Sequence, residues 1–98
     1  MDSDSIRSVL KTHKPELQKK YQIKKIGLFG SYIRGTQNAH SDVDILVEFE
    51  DDAELSLFDL AGLEIELSDL LGIKVDLVEK RTLKPFIGKQ IIKEVVYI

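Results

Sequence analysis

Three short runs of aliphatic and β-branched residues, Ile23 to Phe29, Val43 to Phe49 and Ile73 to Val78, most narrow what this 98-residue chain can become. Each is too short for a core helix and is bounded by turn residues, so each is expected as a strand. Gly30 ends the first run, and Gly35 to Ser41 is turn-rich loop. Glu50 to Glu54 is an acidic loop. Ser56-Leu57-Phe58-Asp59 then resembles a capping box, opening a helix that runs to Leu71 and stops at Gly72. A strand, a crossover helix and another strand make the second and third strands parallel. The tight glycine-rich return sets the first antiparallel to the second. The expected class is α/β (α+β), a small mixed sheet flanked by helices.

Ile6, Val9, Leu10 and His13 fall at helical spacing after an Asp/Ser-rich start that offers several N-caps. Pro15 suits the first turn of a helix, so a break is expected there, with a second helical piece to about Tyr21. Thr82 and Pro85 open a last helix, and Val95 to Ile98 end the chain in β-branched and aromatic residues. The order is α-β-(short α)-β-α-β-α, without repeat or linker, and residues 1–98 read as one domain near the small end of what folds alone. In the helix over 56–71 the apolar positions cover an arc of roughly 240°, wider than one sheet-facing stripe. Leu60, Leu63, Leu67, Leu70 and Leu71 are its core side; Phe58, Ala61 and Ile65 form a flank that is either core or interface.

Without cysteine, any metal must be held by oxygen ligands or by His13 or His40. No apolar run is long enough to span a bilayer, and the acidic, polar Met1-Asp2-Ser3-Asp4-Ser5 is unlike a secretory signal, so a cytoplasmic protein is expected. Net charge is only −3, but 11 of the 17 acids lie between Arg34 and Lys74, a stretch without a single Lys or Arg. Such a chain lacks the basic field needed to grip nucleic acid directly. Its acidic middle reads as a solvated face plus a metal site, or as a surface complementary to a basic partner.

The chemistry-bearing residues are Gly30-Ser31-Tyr32-Ile33-Arg34-Gly35 and Ser41-Asp42-Val43-Asp44. Residues i and i+2 of a strand point to one face, so Asp42 and Asp44 project together within reach of a shared cation. Two such close carboxylates repel unless a cation sits between them, and hard oxygen ligands favour Mg²⁺ with substrate phosphates. Gly30, lacking Cβ, lets backbone approach a phosphate. Ser31 is expected to cap a short helix over residues 32–35, whose N-terminus faces an anion, and to offer its hydroxyl to a phosphate. Arg34 lies one turn on and reaches either the same phosphates or a backbone carbonyl. A triphosphate on the turn and metals on the aspartates is what two-metal phosphoryl transfer requires. Asp76, between Val75 and Leu77 in the third strand, is either a third carboxylate of that site or a structural Asp paired with a Lys.

Gly30-Ser31, ten residues, then Asp42-Val43-Asp44 matches the Gly-Ser-x10-Asp-x-Asp signature of the DNA polymerase beta-like nucleotidyltransferases. The whole chain, including Gly-Ser-Tyr-x-Arg-Gly and the third-strand aspartate, resembles the minimal nucleotidyltransferase (MNT) antitoxins of that superfamily; Ile33 stands where Ala is frequent. The resemblance implies a nucleotidyltransferase fold, a phosphate-binding role for Gly30 and Ser31, and two Mg²⁺ ions on Asp42 and Asp44. It implies that Asp76 completes the catalytic metal site and helps activate the acceptor hydroxyl. It further implies AMP transfer from ATP to a tyrosine of a HEPN-domain toxin, which silences the toxin. The chain has no room for the fingers and thumb of a template-directed polymerase, so a protein or small-molecule acceptor is expected. The competing class is a binding module that neutralises a partner by occlusion over a vestigial site; homo-oligomers are compatible with either. His13 and His40 are expected to be solvated, Tyr32 and Tyr97 to pack, and Lys19, Lys20, Lys24 and Lys25 to form a solvated face.

Overall fold

The computed structural model describes all residues, Met1 to Ile98. The elements are α1 (Ser3–Tyr21), β1 (Ile23–Phe29), α2 (Ser31–Arg34), β2 (Val43–Phe49), α3 (Leu57–Leu71), β3 (Val75–Glu79), a 3₁₀ turn (Lys80–Thr82), α4 (Pro85–Glu94) and β4 (Val96–Tyr97). Strand order is β3-β2-β1-β4. As expected, β1 and β2 are antiparallel and β2 and β3 parallel. No helix is long and apolar enough to cross a membrane.

The core lies on one face of this sheet. Val43, Ile45, Val47 and Phe49 of β2 meet Ile6, Leu10 and Leu17 of α1 and Leu63, Leu67 and Leu71 of α3. Strand alternation therefore turns Asp44, Leu46 and Glu48 to the opposite face. α4 adds nothing to this core and lies instead over the Phe29–Asp44 end of that opposite face, where Ile87 and Ile91 line a cleft with both residues.

Three expectations are corrected. α1 runs unbroken through Pro15. That residue sits on the exposed side of the helix, where the hydrogen bond its missing N–H gives up costs least. Ile6, Leu10 and Leu17 keep one buried stripe across it, so packing carries the helix past the proline. The chain end is a fourth strand, β4, antiparallel to β1 through Gly27↔Tyr97 and Leu28↔Val96. Ser31 does not cap α2; Gly30 holds the cap position at φ 81°, and no side chain caps the helix.

α3 has the expected capping box, Asp59 N–H to Ser56 Oγ at 3.2 Å and Ser56 N–H to Asp59 Oδ2 at 2.9 Å, and Gly72 ends it at φ 67°. The flank of α3 is surface: Ala61 is exposed, and Phe58 and Ile65 stand 89% and 62% exposed beside an exposed Leu57. α3 also covers the free edge of β3. Ser68 Oγ accepts from the Val75 N–H at 3.0 Å and Glu64 Oε2 from the Leu77 N–H at 3.1 Å. These bonds satisfy an edge that would otherwise invite another strand.

Gly27 is where β4 closes on β1: a methyl carbon there would lie 2.6 Å from Val95 Cγ2 and 3.1 Å from Val96 O. Gly27→Ala is expected to destabilise the fold by about 1–3 kcal/mol through overpacking. Urea denaturation measures it, and an unchanged midpoint would refute this account of the β1–β4 contact.

Candidate active site

The carboxylates come together through strand register. Asp44 and Asp76 are Cα partners across the parallel β2–β3 pair, and Phe29 is opposite Asp44 on β1. Asp42 precedes β2 by one residue and shares the Asp44 face by alternation. Asp76 is held there partly by α3, whose Glu64 and Ser68 bind the N–H groups on either side of it. It is exposed, and it makes no salt bridge with any lysine. The structural alternative for Asp76, a pairing with Lys, is thus not what the fold contains.

Asp44 is the most constrained of the three. It is half-buried, and its carboxylate lies so close to Gly30 that any Cβ on that glycine would overlap Asp44 Oδ2. Burial first, then the neighbouring charges of Asp76 and Asp42, push the Asp44 carboxyl above its ordinary value; Arg34 opposes this and Glu94 adds to it. None of the three aspartates makes an ion pair or a side-chain hydrogen bond. Nor are three acidic or histidine side chains gathered closely enough to form a ready-made metal site. The backbone brings the carboxylates to one end of one sheet face, with their side chains unpaired.

The Gly30 turn stands beside them. The Gly30 carbonyl accepts from the N–H groups of Ile33 and Arg34, both at 3.1 Å, starting α2. The Ser31 hydroxyl has no hydrogen-bond partner. Arg34 does not bond a backbone carbonyl: exposed on one side, its Nη1 donates to Glu94 Oε1 at 2.6 Å. The other oxygen of the same carboxylate, Glu94 Oε2, accepts from the Gly30 N–H at 3.0 Å. Glu94 was missed by sequence reasoning. Its signal is that it is the sole acid from Lys80 to Ile98, ending a run rich in lysine. A cleft of about 320 Å³ joins Gly30, Arg34 and Asp44 to Ile87, Gln90 and Glu94 of α4.

Other residues fall outside this site. His40 is exposed in the loop, where its own N–H donates to Asn38 Oδ1 at 2.8 Å. His13 lies on α1 with Nδ1 3.9 Å from Glu16 Oε2. Tyr32 is buried in the core, while Tyr97, expected to pack, is 41% exposed in β4 with Lys25 Nζ 5.4 Å from its ring centroid. A phenol half open to water and leaning on a lysine stem is edge packing rather than core. Lys24 and Lys25 are exposed, and Lys20 Nζ reaches Glu66 Oε1 at 3.1 Å.

This arrangement has counterparts. The "protein adenylyltransferase MntA" of Thermococcus cleftensis is 47% identical over 97% of this chain and 94% of its own length. A solved minimal nucleotidyltransferase superposes with a TM-score of 0.81 at 33% identity, covering 98% of this chain and 95% of that one. A toxin-antitoxin crystal structure with AMP-PNP gives a TM-score of 0.72 at 30% identity, over 88% of this chain and 69% of that one. Residues 10–98 match the model of the nucleotidyltransferase domain, and with the T. cleftensis identity this places the chain in that family: it is a nucleotidyltransferase.

Proposed function

We propose that the protein transfers AMP from ATP to a tyrosine hydroxyl of a HEPN-domain toxin and so acts as its antitoxin. The observation that carries this is the Asp44↔Asp76 register pair beside the Gly30 turn, with Asp42 on the same face. The name of the T. cleftensis relative supports adenylyl transfer to protein, and the complex with AMP-PNP supports both the nucleotide and a toxin partner. The exposed Leu57, Phe58 and Ile65 of α3 offer such a partner an apolar face.

The donor set fits Mg²⁺. Asp42, Asp44 and Asp76 are hard oxygen ligands without a paired cation, and Asp44, raised first by burial and then by the charges of Asp76 and Asp42, would be eased by a divalent ion. Asp42 and Asp44 would hold two ions with the triphosphate, and Asp76 would complete the catalytic one. When bound, the metal supplies Lewis-acid polarisation of the α-phosphate and lowers the pKa of the acceptor hydroxyl. The chain's own residues position the reactants. The Gly30 turn admits phosphate oxygens to backbone N–H groups, Ser31 offers a free hydroxyl, and Arg34 offers a guanidinium. The acceptor oxygen bonds to the α-phosphorus as the bond to pyrophosphate breaks. ATP labelled at the α-phosphate, incubated with the protein and the product of its neighbouring gene, tests the assignment. Label on a tyrosine of the neighbour supports it; metal-dependent ATP binding absent with and without the partner would sink it.

The aspartates separate by role. Asp76→Asn is expected to keep most ATP affinity and lose about 10²- to 10³-fold in turnover, whereas Asp42→Asn loses both. Retained turnover in folded Asp76→Asn removes that residue from the site. A double Asp42→Asn, Asp44→Asn variant that still protects cells would instead favour occlusion over catalysis.

Glu94 occupies the Gly30 N–H and Arg34, two donors that a phosphate would take. Glu94→Ala is therefore expected to tighten ATP binding by roughly threefold to tenfold, by freeing charge-assisted donors. Weaker binding in calorimetry would make Glu94 part of the nucleotide site instead.

Asp44 makes stability depend on pH. Its folded carboxyl binds a proton more tightly than the unfolded one, whose value is 3.8. The favourable contribution is complete below that value and disappears as pH rises through the higher folded one. At neutral pH without metal, ionised Asp44 thus costs stability, and Asp44→Asn should melt above the parent. The gap should narrow on acidification through the raised folded value and level off only below the unfolded value of 3.8, where the parent's carboxyl is protonated in both states. Thermal melts in chelator check this, and a gap that widens with acid would contradict it.

A further inference from the structure

α4 has two working faces. Ile87, Gln90 and Glu94 line the cleft with Asp44, while the far side of the same helix lines a separate groove of about 460 Å³ with the 3₁₀ turn. Leu83, Pro85, Gly88 and Ile92 make the groove's apolar floor. Gly88 lets the helix settle on Leu83, whose Cβ would lie 3.2 Å from a methyl carbon placed there. The groove falls within the size range of ligand pockets, about 300–1,000 Å³.

Its rim is cationic. Residues 80–93 carry five cations and no acid, in a chain of net charge −3. Lys80 is tied to Glu48 at 3.3 Å and Arg81 to Glu79 at 2.8 Å. Lys84, Lys89 and Lys93, exposed around the floor, make no salt bridge at all. An apolar recess ringed by unpaired ammonium groups complements an apolar side chain flanked by carboxylates. Nucleic acid fits it less well, because single strands are held by aromatic stacking and this floor is aliphatic.

We infer that the groove docks the acceptor polypeptide, seating an apolar side chain of an acidic segment on the floor and its carboxylates on Lys84, Lys89 and Lys93. The inference rests on the protein-acceptor reading above and adds what selects the acceptor: because α4 is shared, a segment held in the groove is delivered beside the catalytic cleft. Lysine favours loose electrostatic steering over fixed geometry, so the groove would recognise acidic character more than one sequence.

The probe is a short fluorescein-labelled peptide of Asp and Glu around one Leu and one Tyr, followed by anisotropy without nucleotide. The parent protein is expected to bind it at least about tenfold more tightly than the same peptide with Lys for Asp and Glu. A combined Lys84→Glu, Lys89→Glu, Lys93→Glu variant should lose that preference, and Ile92→Asp should weaken binding through the floor. Unchanged melting and ATP affinity in the triple variant would show that fold and nucleotide site are intact. Equal binding of both peptides, undiminished binding by the triple variant, or tighter binding of single-stranded RNA or phosphatidylserine vesicles would each overturn the proposal. Since anisotropy is read without ATP, a failure of AMP transfer counts against the catalytic reading and leaves the docking result to stand or fall alone.

Discussion

Val43, Ile45, Val47 and Phe49 are all buried under α1 and α3, and that burial decides where every carboxylate of the site points. Strand side chains alternate, so a one-residue slip of β2 would send four core side chains to water and Asp42 and Asp44 into the core. The apolar burial of the first set, of the order of 1.5–3 kcal/mol per large side chain, therefore holds the register of the second. The β2–β3 pairing passes the same register to Asp76, and the α3 bonds to the Val75 and Leu77 N–H groups stop β3 from drifting along its partner. One face of the sheet carries the main core; the other, where Leu46 and Phe29 are buried outside that core, carries the carboxylates.

That division explains how so small a protein tolerates a cluster of like charges. Asp44 is partly desolvated and faces Asp42, Asp76 and Glu94, with Arg34 as the opposing charge. Strained electrostatics of this kind collect at functional sites because structure elsewhere holds the groups in place. Arg34 and the Gly30 N–H do not neutralise the aspartates; both are engaged by Glu94. The carboxylate cluster and the anion-binding donors thus sit side by side, each able to receive a partner of opposite charge.

How much of this was legible follows from how local each cause is. The strands, the Ser56 capping box, the Gly72 stop and the parallel pair all rest on neighbours in sequence or on one crossover, and the structure has them. The convergence of Asp42, Asp44 and Asp76 on one sheet face followed from alternation plus that crossover. Pro15 misled because its local preference for a helix start was outweighed by a stripe of burial on both sides of it. β4 was not foreseen, since two residues pairing with Gly27 across the sheet leave no period to read. Glu94 was invisible for the same reason: its partners Gly30 and Arg34 lie some sixty residues away. The α3 flank could be read as core or interface from its arc alone, and only the absence of anything packed on Phe58 decides it.

α4 draws these threads together. It contributes nothing to the main core, yet it carries Glu94 into the site and turns three unpaired lysines outward. Charge completes the argument. The acids on the sheet face attract cations and thereby the polyanion those cations accompany, while the lysines behind α4 attract acids of another kind. On the readings proposed above, one helix would separate metal and nucleotide on the cleft side from a carboxylate-bearing chain in the groove.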